Sequence, residues 1–141
     1  MNLNALTQRM GAHTVRAILL ASGLLAVVIA LMILFAPETF YAGHGIHLGG
    51  NVTLANEIKA PAGALLAAGL AMLAGIFRPQ LTVFSLATAT VVYLSYGFAR
   101  VVSIVIDGLP HDSMVSAAGL ELAIGLVCLV VLVQARRSWT H

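Results

Sequence analysis

The chain has 141 residues, of which 60% are hydrophobic and 9% charged, with a formal net charge of +2. A soluble domain carries about 25% charged residues, so this composition excludes an ordinary water-solvated globule and makes lipid the solvent for much of the surface. The cations other than Arg100 sit at helix ends, where orientation and lipid head groups account for them, and no basic patch interleaved with aromatics supports a nucleic-acid partner.

Four apolar runs organise one domain over residues 1–141. The first, 17–36, contains no charge and is about long enough to span a bilayer. It follows Arg9 and Arg16 as a secretory signal would. It is longer than a signal core, however, and shows no small-x-small site between Phe35 and Phe40, so it reads as a retained anchor. Before it, Leu3, Leu6 and Met10 stand at helical spacing and suggest a short interfacial helix over residues 1–13. Pro37 ends the first run. Residues 37–56 form an outer loop, irregular because it holds Gly43, Gly45, Gly49 and Gly50. The second helix covers 60–77, with Pro61 in its first turn, where a missing N–H costs nothing. The third covers 81–106 and exceeds the bilayer's need, which implies tilt or an extension. The fourth covers 114–133 and contains the single cysteine, Cys128, a small apolar packing residue in this context.

The expected fold class is therefore all-α, a four-transmembrane-helix bundle. Arg9, Arg16, Arg78, Arg136 and Arg137 all fall on one side of the four spans, while Glu38, Asp107 and Asp112 fall on the other with Lys59 as the exception. The positive-inside rule then places both termini in the cytoplasm. Trp139 suits the inner interface, and Phe40 and Tyr41 suit the outer one. Small residues at Gly63, Ala67, Ala71 and Gly75 recur every four positions and suit close helix approach or an oligomer face.

The informative residues are those that lipid should reject. Arg100 lies in the third helix and Glu121 in the fourth. An intramembrane charge costs several kcal/mol and normally faces the protein interior with a partner. Arg100 precedes Asp107 by seven residues, and Glu121 follows Met114 by seven. At about 1.5 Å per residue both sit roughly 10 Å below the outer surface, and the short connection makes the two helices antiparallel neighbours. An Arg100–Glu121 ion pair is the expectation. Tyr93, Tyr96, Arg100, Ser103 and Asp107 share one helix face. Asn56, Glu57 and Lys59 stand at the outer start of the second helix. Together these residues make a candidate polar pocket open to the outside; the plain alternative is a structural ion pair surrounded by head-group residues.

His44 and His47 form an H-x-x-H pair in the outer loop, with His111 in another outer connection. Imidazoles bind zinc or copper, but this spacing is common by accident and no metal is expected. No cofactor is expected either: phosphate-binding, dinucleotide, zinc-protease and nucleophile-elbow motifs are missing.

Ala55-Asn56-Glu57-Ile58-Lys59-Ala60-Pro61-Ala62-Gly63-Ala64, Tyr93-Leu94-Ser95-Tyr96-Gly97-Phe98-Ala99-Arg100, Asp107-Gly108-Leu109-Pro110 and Glu121-Leu122 occur in that order. In these motifs the chain resembles a bacterial membrane family catalogued as domain of unknown function 4345, from the first helix to the fourth. The resemblance implies a four-helix bacterial inner-membrane protein and no particular activity. A looser similarity is to DoxX-like four-helix proteins, some linked to quinone or thiol redox chemistry, but no residue here carries that chemistry over. The architecture is also similar, at fold level alone, to sterol-isomerase-like and sigma-2-receptor-like bundles that hold acidic residues in a lipid-binding cavity.

Three functional expectations follow. The first is a module that binds a lipid, quinone or similar amphipathic molecule, with membrane lipids as its surroundings. The second is an accessory subunit of a membrane complex or a homo-oligomer. The third is an enzyme on a lipid-soluble substrate, with Glu57 or Glu121 as acid or base and Arg100 as charge stabiliser.

Overall fold

The computed structural model describes the backbone over residues 3–138 and side chains over residues 11–135. The described residues are all-helical, in five α-helices: α1 (Leu3–Phe35), α2 (Pro37–Ala42), α3 (Val52–Phe77), α4 (Thr82–Asp107) and α5 (Asp112–Ser138), with a 3₁₀ turn at Pro79–Leu81. Four of these carry segments long and apolar enough to cross a membrane: Gly11–Phe35, Val52–Phe77, Pro79–Asp107 and Asp112–Ala135. The interior is apolar, and so is the surface, where a soluble protein's would be polar. Large apolar side chains such as Leu24, Val28, Phe84, Phe98, Leu126 and Val130 point outward, as they must where hydrocarbon is the solvent.

Three boundaries differ most from the sequence reading, besides a fourth span that runs over Asp112–Ser138 rather than 114–133. Residues 3–13 continue α1 rather than forming a separate interfacial helix, because nothing breaks the backbone ladder between Leu3 and Phe35; the side chains of Leu3, Leu6 and Met10, like those of Arg9, Arg136, Arg137 and Trp139, lie outside the described residues. The outer loop 37–56 shrinks at both ends. Pro37 opens a second helix instead of only closing the first, as proline does well at a first turn. At the other end α3 begins at Val52, because the Asn51 side chain caps it: Leu54 N–H donates to Asn51 Oδ1 at 3.0 Å. Pro61 therefore lies inside α3, not at its start. Between α2 and α3 the chain turns through Gly45, Gly49 and Gly50, whose φ angles of 75°, 58° and 72° suit glycine. Glu38 Oε1 accepts from Leu48 N–H at 3.2 Å and ties this turn down.

The bundle consists of two close helix pairs. In the first, α1 lies along α3 at Gly23 and Gly69, so close that a Cβ on Gly69 would come within 3.1 Å of Gly23 O. In the second, α4 lies along α5, with Gly97 against Leu122 and Gly125 against Leu94. Contacts between α3 and α4 join the pairs, with Gly75 against Ser85 and Ser85 Oγ donating to Ala71 O at 2.7 Å. Small residues thus do set the helix spacing, although the four-residue stripe identifies only part of the contact. Gly75 is enclosed, while Gly63 has no atom within 4 Å of its Cβ position and Gly69, outside the stripe, makes the tightest approach to α1. Ala26, Met72, Ala89, Tyr93 and Cys128 form a central core layer, and Leu19, Leu86 and Leu132 form a second layer toward the chain termini. Tyr93 crosses from α4 to α1, its hydroxyl donating to Ser22 O at 2.6 Å.

Candidate functional site

Two glycines place the charged residues. Gly97 and Gly125 let α4 and α5 approach closely, and Gly108, at φ 97°, helps turn the chain between them. Arg100 is three residues past Gly97, and Glu121 four before Gly125, so the antiparallel pair faces the two at one depth. Arg100 Nε donates to Glu121 Oε2 at 2.9 Å, and Arg100 Nη1 donates to Met114 Sδ at 3.1 Å. The side chains are 32% and 17% exposed. Pairing removes the net charge from the span, which is the condition for keeping ionisable groups at membrane depth.

Beside the pair is a cavity of about 340 Å³. Ala26, Ile29 and Ile33 of α1, Ile58, Pro61, Ala62 and Leu65 of α3, and Val92 and Tyr96 of α4 form its walls, with Met114, Ala117 and Glu121 of α5. Tyr93, held by its bond to Ser22, is the floor above the core layer. Phe40, Tyr41 and His44 line it from the α2 side as a roof. The aromatic rings pack edge-on, with Phe40 and Tyr41 centroids 5.3 Å apart and Phe40 and His44 centroids 5.0 Å apart. Burial pushes the Tyr41 phenol up from its ordinary value, Tyr96 adds to the rise and Arg100 opposes it. Tyr41 therefore stays protonated near neutral pH and is available as a hydrogen-bond donor. The result is an apolar chamber with charged and hydroxyl-bearing groups toward its roof.

The structure gathers part of the expected residue set. Tyr93, Tyr96, Arg100 and Glu121 line the cavity. Ser103 and Asp107 share their helix face but lie beyond the cavity, exposed, with Ser103 Oγ donating to Asp107 Oδ2 at 2.9 Å. Their distance along the axis is the reason: Asp107 is about 10 Å past Arg100 at helical rise. Asn56 and Glu57 are exposed and Lys59 is half-buried. None of the three lines the cavity, because Ile58, Pro61, Ala62 and Leu65 occupy the inward face of α3. Phe40, Tyr41, His44 and Met114 join the site although the sequence reading placed none of them there. Reading 37–42 as a helix, on Pro37 followed by Glu38 in the first turn, is the signal that would have turned Phe40 and Tyr41 inward.

The histidines divide. His44 Nδ1 and His111 Nδ1 each lie 2.8 Å from Ser113 Oγ, while His47 is exposed and apart from them. Among the described residues no three His, Cys, Asp or Glu side chains converge to hold a metal ion. Chemically, the arrangement can desolvate an apolar molecule and orient one polar end of it.

No curated protein and no solved structure matches the chain. Residues 14–132, which span all four membrane-crossing segments in whole or large part, match the family model described as a domain of unknown function, DUF4345, and the chain belongs to that family.

Proposed function

We propose that this protein is a bacterial inner-membrane binding module. It takes a lipophilic, amphipathic small molecule into the cavity with the polar end at Arg100, Glu121 and Tyr96. The observation that carries the reading is the coincidence of a cavity of about 340 Å³ with an ion pair in its wall. A volume of this size falls at the low end of small-molecule sites, about 300–1,000 Å³, which are likewise mostly apolar with a few polar groups that fix orientation. An ion pair serving only helix register needs no empty volume beside it. The arginine distribution supports a topology with both termini in the cytoplasm, which opens the polar end toward the periplasmic leaflet.

The test is native mass spectrometry of protein extracted with its own lipids. Wild type carries a bound small molecule. Ala117→Phe, whose ring would fill the chamber from α5, loses that mass while its circular dichroism and elution volume stay unchanged. A wild-type protein that flies free of any adduct, or a variant that retains the adduct, overturns the reading.

A further inference from the structure

We infer that the ligand head is uncharged and presents a carbonyl oxygen to Arg100. This rests on the cavity being a binding site and narrows what occupies it. One Arg100 nitrogen is satisfied by Glu121, but Nη1 points at Met114 Sδ. A thioether is a weak acceptor, so a charged donor is held by a poor partner at the cavity wall. Among the described residues Arg100 Nη2 and Glu121 Oε1 have no hydrogen-bond partner. An incoming oxygen that displaces the sulfur gains a charge-assisted bond without breaking the ion pair.

Charge balance selects the head. Arg100 and Glu121 cancel, and the other titratable side chains on the cavity are Tyr41, Tyr93, Tyr96 and His44. A carboxylate or phosphate would leave a net negative charge in apolar surroundings, which is expensive; a neutral carbonyl would not. Donors also prevail: Arg100 with the Tyr41 and Tyr96 hydroxyls face Glu121 as the carboxylate acceptor, and this calls for an acceptor-rich head. Neutral carbonyls come from two sources, the ester of a glycerolipid or the ring carbonyls of a lipophilic ketone.

Binding to purified protein in nanodiscs is measured for monoolein (neutral ester), decylbenzoquinone (neutral ring carbonyl), oleate (anion) and hexadecane (no head). At least one carbonyl probe binds tenfold or more tighter than oleate and hexadecane, and which one names the source. Arg100→Gln with Glu121→Gln in one chain weakens that binding roughly 10- to 100-fold, the loss of a hydrogen bond to a charged donor. Met114→Leu, which removes the competing sulfur, binds at least as tightly as wild type. Preference for oleate or hexadecane overturns the neutral-carbonyl assignment and leaves the cavity reading standing. A tenfold loss in Met114→Leu overturns the displacement of sulfur. If none of the four probes binds, the neutral-carbonyl assignment falls, and the cavity reading stands or falls with the native adduct. The probe ranking is read on wild type and needs no variant to fold.

Discussion

Replacing Gly69 by alanine tests how closely α1 and α3 approach. The added Cβ would meet Val27 Cγ2 at 2.8 Å, Val27 N at 3.0 Å and Gly23 O at 3.1 Å. The side-chain carbon can rotate away, but the two backbone atoms cannot, so the helices must part. Overpacking of this kind costs about 1–3 kcal/mol. Alanine also favours a helix over glycine by about 0.5–1 kcal/mol. Gly63, six residues earlier in the same helix, gains the same propensity and has no atom within 4 Å of its Cβ position. The propensity gain therefore cancels between Gly69→Ala and Gly63→Ala, and their difference reads the clash alone. Thermal denaturation by circular dichroism in one detergent should place Gly69→Ala roughly 5–10 °C below Gly63→Ala, taking a few degrees per kcal/mol. Equal midpoints would refute the close approach, and with it the view that glycines set the spacing of this pair.

Two further outcomes follow from the site. Glu121→Ala strands Arg100 in the span and costs about 2–3 kcal/mol, whereas Arg100→Gln with Glu121→Gln recovers more than half of that. A double variant with the summed cost of Arg100→Gln and Glu121→Gln measured singly in the same melting assay would show that the two side chains act independently. Tyr93→Phe removes the bond to Ser22 O at a cost of about 0.5–1.5 kcal/mol and increases amide exchange in the middle of α1; an unchanged exchange pattern would mean that Tyr93 is held by packing alone.

The hydropathy pattern made the four spans legible, because a bilayer demands about 20 apolar residues wherever a helix crosses and Arg78-Pro79 and Gly108-Leu109-Pro110 punctuate them. The facing of Arg100 and Glu121 was legible for a related reason: a short antiparallel connection converts equal sequence offsets into equal depth. The roof was not legible. Whether Tyr41 faces head groups or the bundle depends on the six-residue helix that carries it, and helices that short are decided by tertiary packing rather than by propensity. Glu57 failed in the opposite way. It is charged and near the right depth, yet Ile58 next to it is turned about 100° round α3 and takes the inward position. Depth follows from counting residues, but azimuth requires knowing which neighbour each helix packs against.

The hydroxyl of Ser113 has a single proton to share between the two imidazoles that approach it. With both rings neutral, the Ser113 N–H that donates to His111 Nδ1 at 3.3 Å makes that nitrogen an acceptor and turns the hydroxyl proton the same way. His44 in that neutral arrangement carries its proton on Nδ1 and gives it toward Ser113 Oγ. In that arrangement the two rings are opposite tautomers, and the chain of bonds runs from the cavity roof to the start of α5. A roof clamped in this manner is joined to the first turn of α5, so the segment after α2 and the helix that carries Glu121 cannot shift apart without breaking a side-chain bond.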